Sequence, residues 1–191
     1  MEPDQTRPVL AVIIGSVRPG RIGPAFATWF TEVATRHNAF DVTTVDLAEI
    51  GLPFHDEPNH PKTGIYLHEH TRRWSRIVDA TDAFVLVTPE YNYGYSPVLK
   101  NALDYLHREW VDKPVAFLGY GGVGAGTRAI QQLKQVVTTL RMVPIFEAVT
   151  VPFAPRELGH DGQVVPNPDR DTAAHAVLDE LARLTAKLRG G

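Results

Sequence analysis

The stretch AFVLVTPEYNYGYSPVLKNALDYL, Ala83 to Leu106, decides the fold. Its opening run is wholly apolar, which predicts a buried strand over Ala83–Val87. Ser96 and Pro97 then predict a helix start, because Ser is a favoured N-cap and Pro is favoured at the first helical position. The turn between them, at the carboxyl end of a strand, is where open parallel sheets bind ligands. Its tyrosine rings, amide groups and single charged side chain suit a flat heterocycle better than hydrolytic chemistry.

Strand and helix patterns alternate along the rest of the chain. The predicted strands are Val9–Ile14, Phe40–Val45, Ala83–Val87, Pro114–Leu118 and Val143–Val151. The predicted helices begin at Pro24, Tyr66, Ser96, after Gly126 and at residue 169, the last following a Pro-rich loop over 152–168. Nearly all-apolar strands indicate a parallel sheet covered on both faces. We therefore expect one α/β domain, residues 1–191, a three-layer flavodoxin-like sandwich with strand order 2-1-3-4-5.

Composition excludes several classes of function. The chain has 191 residues and no cysteine, which rules out disulfides, thiol nucleophiles and cysteine–metal sites. Its net charge of −3 gives no reason to expect nucleic acid or an anionic membrane surface as a partner. No apolar segment approaches the roughly 20 residues that span a bilayer. The N-terminus is acidic and contains proline, unlike a secretory signal, so a cytoplasmic protein is expected.

The loop after the first strand, GSVRPGRIG over Gly15–Gly23, has the features of a phosphate site. Glycines let backbone amides approach a ligand, and the start of the next helix adds its positive dipole end. Ser16 offers a hydroxyl, while Arg18 and Arg21 offer cations suited to a phosphomonoester. The alternative is a solvated loop that happens to contain arginine.

A second glycine pattern, G-x-G-x-x-G at Gly119, Gly121 and Gly124, follows the fourth strand. With Glu147 as a ribose acid it would resemble a dinucleotide fingerprint, but that fingerprint normally opens the first βαβ unit. Glu147 also falls inside a predicted strand. The alternative is a tight turn over Gly119–Gly122 whose amides line the same crevice as the two loops above.

Other chemistries lack their patterns. His68 and His70 are two residues apart and cannot share a helix face, and no H-E-x-x-H is present, so no metal site is expected. The G-x-S-x-G elbow of serine hydrolases is absent. We expect no catalytic side chain.

Taken together, the three loops resemble the NADPH-dependent FMN reductase family, which includes quinone, azo-dye and chromate reductases. GSVRPGRIG resembles its phosphate loop, TPEYNYGYSPVLKNALDYL its PEYN segment, and GYGGVGAGTRAIQQLK its SYGG segment. The resemblance covers Val9 to about Val151. It departs at Arg21, where the family often has Ser, and at Gly119, which replaces the usual Ser. By position, the resemblance implies an FMN site made of Ser16, Arg18, Arg21, Ile22, Gly23, Pro89, Glu90, Tyr91, Asn92, Tyr93, Tyr120, Gly121 and Gly122.

The resemblance implies that NAD(P)H, either NADPH or NADH, passes hydride to the flavin and that an acceptor then takes its place. Free flavin, a quinone, an azo compound or a metal oxyanion could be that acceptor, or reduced FMN could feed a flavin-dependent monooxygenase. A homodimer or homotetramer is also implied. The alternatives are a flavodoxin-type electron carrier and a nucleotide-binding regulatory domain built on the Gly119–Gly124 turn.

Overall fold

A five-stranded parallel sheet organises the computed structural model, which describes residues 7–190. Its strands run in the order β2-β1-β3-β4-β5, which confirms the predicted flavodoxin-like order. The strands are β1 (Val9–Ile14), β2 (Asp41–Asp46), β3 (Ala83–Pro89), β4 (Pro114–Tyr120) and β5 (Val143–Val151).

Helices cover both faces of this sheet. They are α1 (Gly23–His37), α2 (Leu47–Ile50), α3 (Glu69–Asp79), α4 (Pro97–Asp104), α5 (Thr127–Thr139) and α6 (Pro168–Arg189). The four-residue α2 was not predicted, because so short a segment shows no helical period. Its start is fixed locally by the Asp46 carboxylate, which accepts the Ala48 N–H at 3.0 Å. None of the helices within residues 7–190 is long and apolar enough to cross a membrane.

Alternate residues of the strands pack into two separate hydrophobic cores, one on each face of the sheet. In β1, Leu10 and Val12 pack with α1 and α6 on one face, whereas Ala11 and Ile13 pack with α3, α4 and α5 on the other. All four side chains are almost fully buried. This two-sided burial explains why the strand reads as a continuous apolar run instead of an alternating one.

Hydrogen bonds between neighbouring strands bring their carboxyl ends to one edge. Gly15 N–H donates to Val87 O at 2.8 Å, and Glu90 N–H donates to Tyr120 O at 2.9 Å. β3 and β4 each run two residues beyond the predicted ends, since Thr88 pairs with Gly119 and Pro89 with Tyr120. The expected turn over Gly119–Gly122 is therefore wrong at its first half, where Gly119 lies in the strand.

Close packing of α5 on β4 explains the glycine at position 119. A Cβ there would lie 2.9 Å from Ile130 Cδ1 and 3.0 Å from Gly126 O. Glu147 lies in the middle of β5, away from the strand end where a ribose acid belongs. Both observations weaken the dinucleotide interpretation of the Gly119–Gly124 pattern.

Candidate functional site

A cavity of about 470 Å³ opens at the carboxyl edge of the sheet. Four chain segments line it, each following or ending one strand, as the topology of open parallel sheets requires. The lining residues are Arg18, Ile22, Pro89, Glu90, Tyr91, Tyr120, Gly121, Gly122, Phe153, Ala154, Pro155 and Arg156. The structure thus brings residues of all three predicted loops together and adds a fourth segment.

Ser16 and Gly23 are predicted site residues that do not line the cavity, and they lie next to the Tyr120 hydroxyl. Ser16 is buried, and its Oγ makes no hydrogen bond of good geometry within residues 7–190. Burial raises the pKa of the Tyr120 phenol, and the proximity of the Ser16 hydroxyl acts to lower that pKa. A Cβ on Gly23 would lie 2.5 Å from Ser16 Oγ and 2.7 Å from Tyr120 Oη, so only glycine leaves room for these two hydroxyls. Buried hydroxyls are hydrogen-bonded as a rule, and a bound oxyanion would supply the missing acceptor for this one.

The N-terminus of α1 adds a backbone donor at the same place. Ile22 is the N-cap residue, and no side chain caps the helix. Pro24 has no N–H and Ala25 N–H donates to Ile22 O at 3.2 Å, so this end offers an anion the Gly23 N–H and the positive end of the helix dipole. Serine, glycine and open helix end together fit a phosphate group.

The two arginines of this loop have different surroundings. Arg21 donates to both carboxylate oxygens of Asp46, at 2.6 and 2.5 Å, and to Ser16 O at 2.6 Å. It lines a neighbouring cavity instead of the one described above. Arg18 lines the main cavity, and among residues 7–190 its side chain donates only to Pro19 O, at 3.4 Å. Arg21 therefore holds the loop to β2, and Arg18 is the loop cation that faces the cavity.

Mutual bonding explains the pKa shifts of this pair. Hydrogen bonding to Asp46 raises the pKa of the Arg21 guanidinium. Burial alone would raise the pKa of the Asp46 carboxyl, but hydrogen bonds from Arg21 and the Ala48 N–H outweigh it and hold that pKa below its usual value.

Tyr91–Gly94 forms a tight two-residue hairpin at the end of β3. Tyr91 N–H donates to Gly94 O at 2.8 Å, and Gly94 N–H donates to Tyr91 O at 2.9 Å. Asn92 and Tyr93 both have positive φ, 48° and 73°. Such a turn favours Asn at its first central position but Gly at its second, so Tyr93 holds a strained backbone.

Helix α5 holds this strained turn from the side. Arg128 donates to Glu90 Oε1 at 2.5 Å, and its guanidinium lies 4.0 Å from the centroid of the Tyr93 ring. Gln132 Nε2 donates to Tyr93 O at 2.9 Å. Tyr93 is 66% exposed, and neither it nor Asn92, both predicted site residues, is among the residues that line the cavity. Sequence reasoning noted Arg128 only as part of a motif and gave it no role.

Phe153–Arg156, the fourth segment, was missed by sequence reasoning. Phe153 N–H donates to Gly122 O at 3.0 Å and Ala154 N–H to Gly121 O at 2.9 Å, which ties the segment to the turn after β4. The segment sits in a stretch assigned as a Pro-rich loop. Its position directly after β5 could have identified it, because segments that follow the strands of a parallel sheet lie together at the carboxyl edge, where ligands bind.

Tyr120 is the titratable group most enclosed by the site. Burial raises the pKa of its phenol to about 12. Its hydroxyl therefore stays protonated throughout the physiological range and can act as a hydrogen-bond donor.

The fold and this edge define a flavodoxin-like α/β protein with a buried serine and a helix start beside a glycine-lined cavity. Residues 8–156 match the family model described as NADPH-dependent FMN reductase. The chain is 46% identical over 149 residues to an NAD(P)H-dependent FMN reductase of Schizosaccharomyces pombe, covering 76% of this chain and 74% of the relative. It is 37% identical over 144 residues to that of Saccharomyces cerevisiae, covering 70% and 75%.

Among solved structures, FerB of Paracoccus denitrificans, a flavoenzyme NAD(P)H:(acceptor) oxidoreductase, superposes with a TM-score of 0.76. It covers 94% of this chain and 98% of its own at 22% identity, so it supports the fold. The family match settles the class: the chain belongs to the NADPH-dependent FMN reductase family. It is an FMN-dependent, NAD(P)H-utilising oxidoreductase, which is favoured over the electron-carrier and regulatory alternatives.

Proposed function

We propose that the FMN of this oxidoreductase binds in the cavity at the carboxyl edge of the sheet, within one domain that spans residues 1–191. One observation carries the proposal: a buried, unpartnered Ser16 hydroxyl lies beside Gly23 at the uncapped start of α1. That arrangement suits a phosphomonoester next to a cleft of ring faces and glycines.

Each loop has a separate task in this assignment. Ser16, Arg18, Ile22 and Gly23 hold the phosphate, and Arg21 fixes their loop through Asp46. The segment from Pro89 to Tyr93 lies along the ring edge. Tyr120, Gly121 and Gly122 approach the ring from the end of β4, where the absence of side chains allows close contact.

FMN supplies the redox chemistry when bound, taking hydride from NAD(P)H and passing electrons to an acceptor. The chain supplies orientation and hydrogen bonds. We infer that the backbone N–H groups of Asn92 and Tyr93, which directly follow the cavity residue Tyr91, are donors for the ring edge. No side chain of the site needs to act as nucleophile, since Tyr120 stays protonated and Glu90 is paired with Arg128.

The acceptor is a small oxidant: free flavin, a quinone, an azo compound or a metal oxyanion. We also propose a homodimer or homotetramer, a cytoplasmic location, and release of reduced FMN to a flavin-dependent monooxygenase. Exposed side chains such as Phe54 and Leu67 support self-association, since they leave apolar surface uncovered in one chain.

Anaerobic spectroscopy tests the proposal. Protein reconstituted with FMN and freed of excess should bleach its yellow absorbance when NADPH or NADH is added, and recover it in air. Bound FMN that neither nucleotide reduces would instead indicate an electron carrier. Protein that binds no FMN under any condition would contradict the assignment of the cavity.

A further inference from the structure

Arg156 is a cavity cation whose side chain has no carboxylate or hydrogen-bond partner among residues 7–190. It lines the cavity, yet it forms no ion pair and no side-chain hydrogen bond with any residue between 7 and 190. The adjacent carboxylate cannot neutralise it, because Glu157 is bound to Arg170 at 2.7 Å. The charge of Arg156 is therefore available to a ligand.

The segment that carries Arg156 is rigidly held. Phe153 adopts a left-handed backbone, φ 46° and ψ 42°, which is rare for a bulky residue. Bonds to Gly121 and Gly122 fix it there, and Arg156 N–H donates to Phe153 O at 2.8 Å. The Arg156 guanidinium lies 4.9 Å from the Phe153 ring centroid, and Phe153 is 45% exposed. The turn thus presents an aromatic face and a cation side by side.

Arg156 gives the cavity a second cation besides Arg18. Arg18 and the helix dipole of α1 already face the FMN phosphate, whose charge is about −1.5 to −2. Glu90, the acidic member of the lining, is neutralised by Arg128. Arg156 remains. A ligand that combines a flat base with phosphate would match both Arg156 and Phe153.

We propose that Arg156 recognises a phosphate of the nicotinamide dinucleotide, with Phe153 stacking against one of its bases. This inference rests on the proposed function, because it takes NAD(P)H as the molecule that shares the cavity with FMN. The phosphate is either the 2′-phosphate, which only NADPH carries, or the pyrophosphate common to NADPH and NADH. Arg156 is then a dinucleotide-binding residue of the reductase, and in the 2′-phosphate case it also determines the preference for NADPH over NADH.

Binding measurements on the FMN-loaded protein test this directly. Dissociation constants of NADP⁺ and NAD⁺ would be measured by calorimetry at fixed ionic strength for wild type, Arg156→Gln, Arg156→Lys and Arg73→Gln. Arg73 is a matched control, an exposed arginine of α3 that forms no ion pair with residues 7–190. Arg156→Gln should weaken NADP⁺ binding about tenfold or more, Arg156→Lys should keep most of it, and Arg73→Gln should change nothing.

The pattern of losses identifies the phosphate. A loss for NADP⁺ alone supports the 2′-phosphate, and an equal loss for NAD⁺ supports the pyrophosphate. Unchanged constants for both in Arg156→Gln overturn the inference, as does a variant that loses FMN affinity but not dinucleotide affinity. Failure of the proposed function looks different, since the wild-type protein itself would then bind no FMN or leave its bound FMN oxidised with NAD(P)H.

Discussion

Two arginines three residues apart in one loop illustrate how local partners decide a side chain's role. Arg21 finds Asp46 at the end of β2, so its charge serves the fold. Arg18 finds no carboxylate within residues 7–190 and lines the cavity. From the sequence, both arginines are expected to bind phosphate. A loop has no helical or strand periodicity that would indicate in which direction each side chain points.

Replacing Arg18 should weaken FMN binding without loosening the protein. Arg18→Gln removes a charge-assisted contact to phosphate, which we expect to raise the dissociation constant of FMN about tenfold. Quenching of flavin fluorescence measures it. Arg36→Gln, at an exposed position on α1, is the control and should keep the wild-type value. Equal affinities for Arg18→Gln and wild type would remove Arg18 from the phosphate site.

Replacing Arg21 should instead lower the stability of the protein. Arg21→Gln leaves Asp46 without its bidentate partner, and we expect the free energy of unfolding to fall by about 2 kcal/mol. Urea denaturation of the flavin-free protein measures this loss. Arg36→Gln again serves as control, since it should change the free energy by less than about 0.5 kcal/mol. A fully stable Arg21→Gln protein would contradict the role given to the Arg21–Asp46 pair.

At the scale of elements, α5 supports the strained hairpin after β3. Arg128 reaches both Glu90 and the Tyr93 ring, so one side chain links the end of β3 to the turn. Arg128→Met should lower the urea midpoint, because the Glu90 carboxylate, 8% exposed, loses its cation and keeps the 3.1 Å bond from the backbone N–H of residue 128.

A double substitution tests this coupling. Arg128→Met with Glu90→Gln should recover part of the lost midpoint, since the unpaired buried charge is then gone. Strictly additive effects of the two changes would show that Arg128 and Glu90 act independently.

Helices and strands with a clear hydrophobic pattern were predictable from the sequence. Segments whose conformation depends on tertiary contacts were not. The five strands and their order followed from apolar runs separated by helical stripes. The ends of β3 and β4 were misplaced because Thr88 and Gly119, neither strongly apolar, are drawn into the sheet by pairing with each other. For the site, motif resemblance pointed to residues of three cavity loops, whereas Phe153–Arg156 carries no motif and is brought there only by the fold.

For the whole molecule, buried carboxylates predict acid sensitivity. Burial alone would raise the pKa of Glu57, but the backbone N–H groups of Leu67 and His68, at 2.8 and 2.9 Å, hold it below its usual value, as Arg21 does for Asp46. A carboxyl whose pKa is lower in the folded state than in the unfolded state stabilises the protein at any pH above its unfolded-state pKa. This stabilisation is lost as the pH falls through the folded-state pKa.

Stability should therefore decline as pH drops from about 5 toward 3, where the unfolded chain binds more protons than the folded one. Thermal or urea unfolding across that range measures the slope. Asp46→Asn and Glu57→Gln should each lower stability at neutral pH and flatten the acid decline. A decline as steep in both variants as in wild type would mean that other groups cause it.

The proposed FMN site lies where Ser16, Gly23 and Tyr120 meet at the start of α1. Gly23→Ala tests it most directly, because the added Cβ would lie 2.5 Å from Ser16 Oγ and 2.7 Å from Tyr120 Oη. Titration of FMN into wild type and Gly23→Ala, with circular dichroism to verify the fold, is the measurement. We predict one FMN per wild-type chain and an affinity at least about tenfold weaker in a folded Gly23→Ala protein. Equal affinity in the two proteins, or no binding by wild type, would contradict the account.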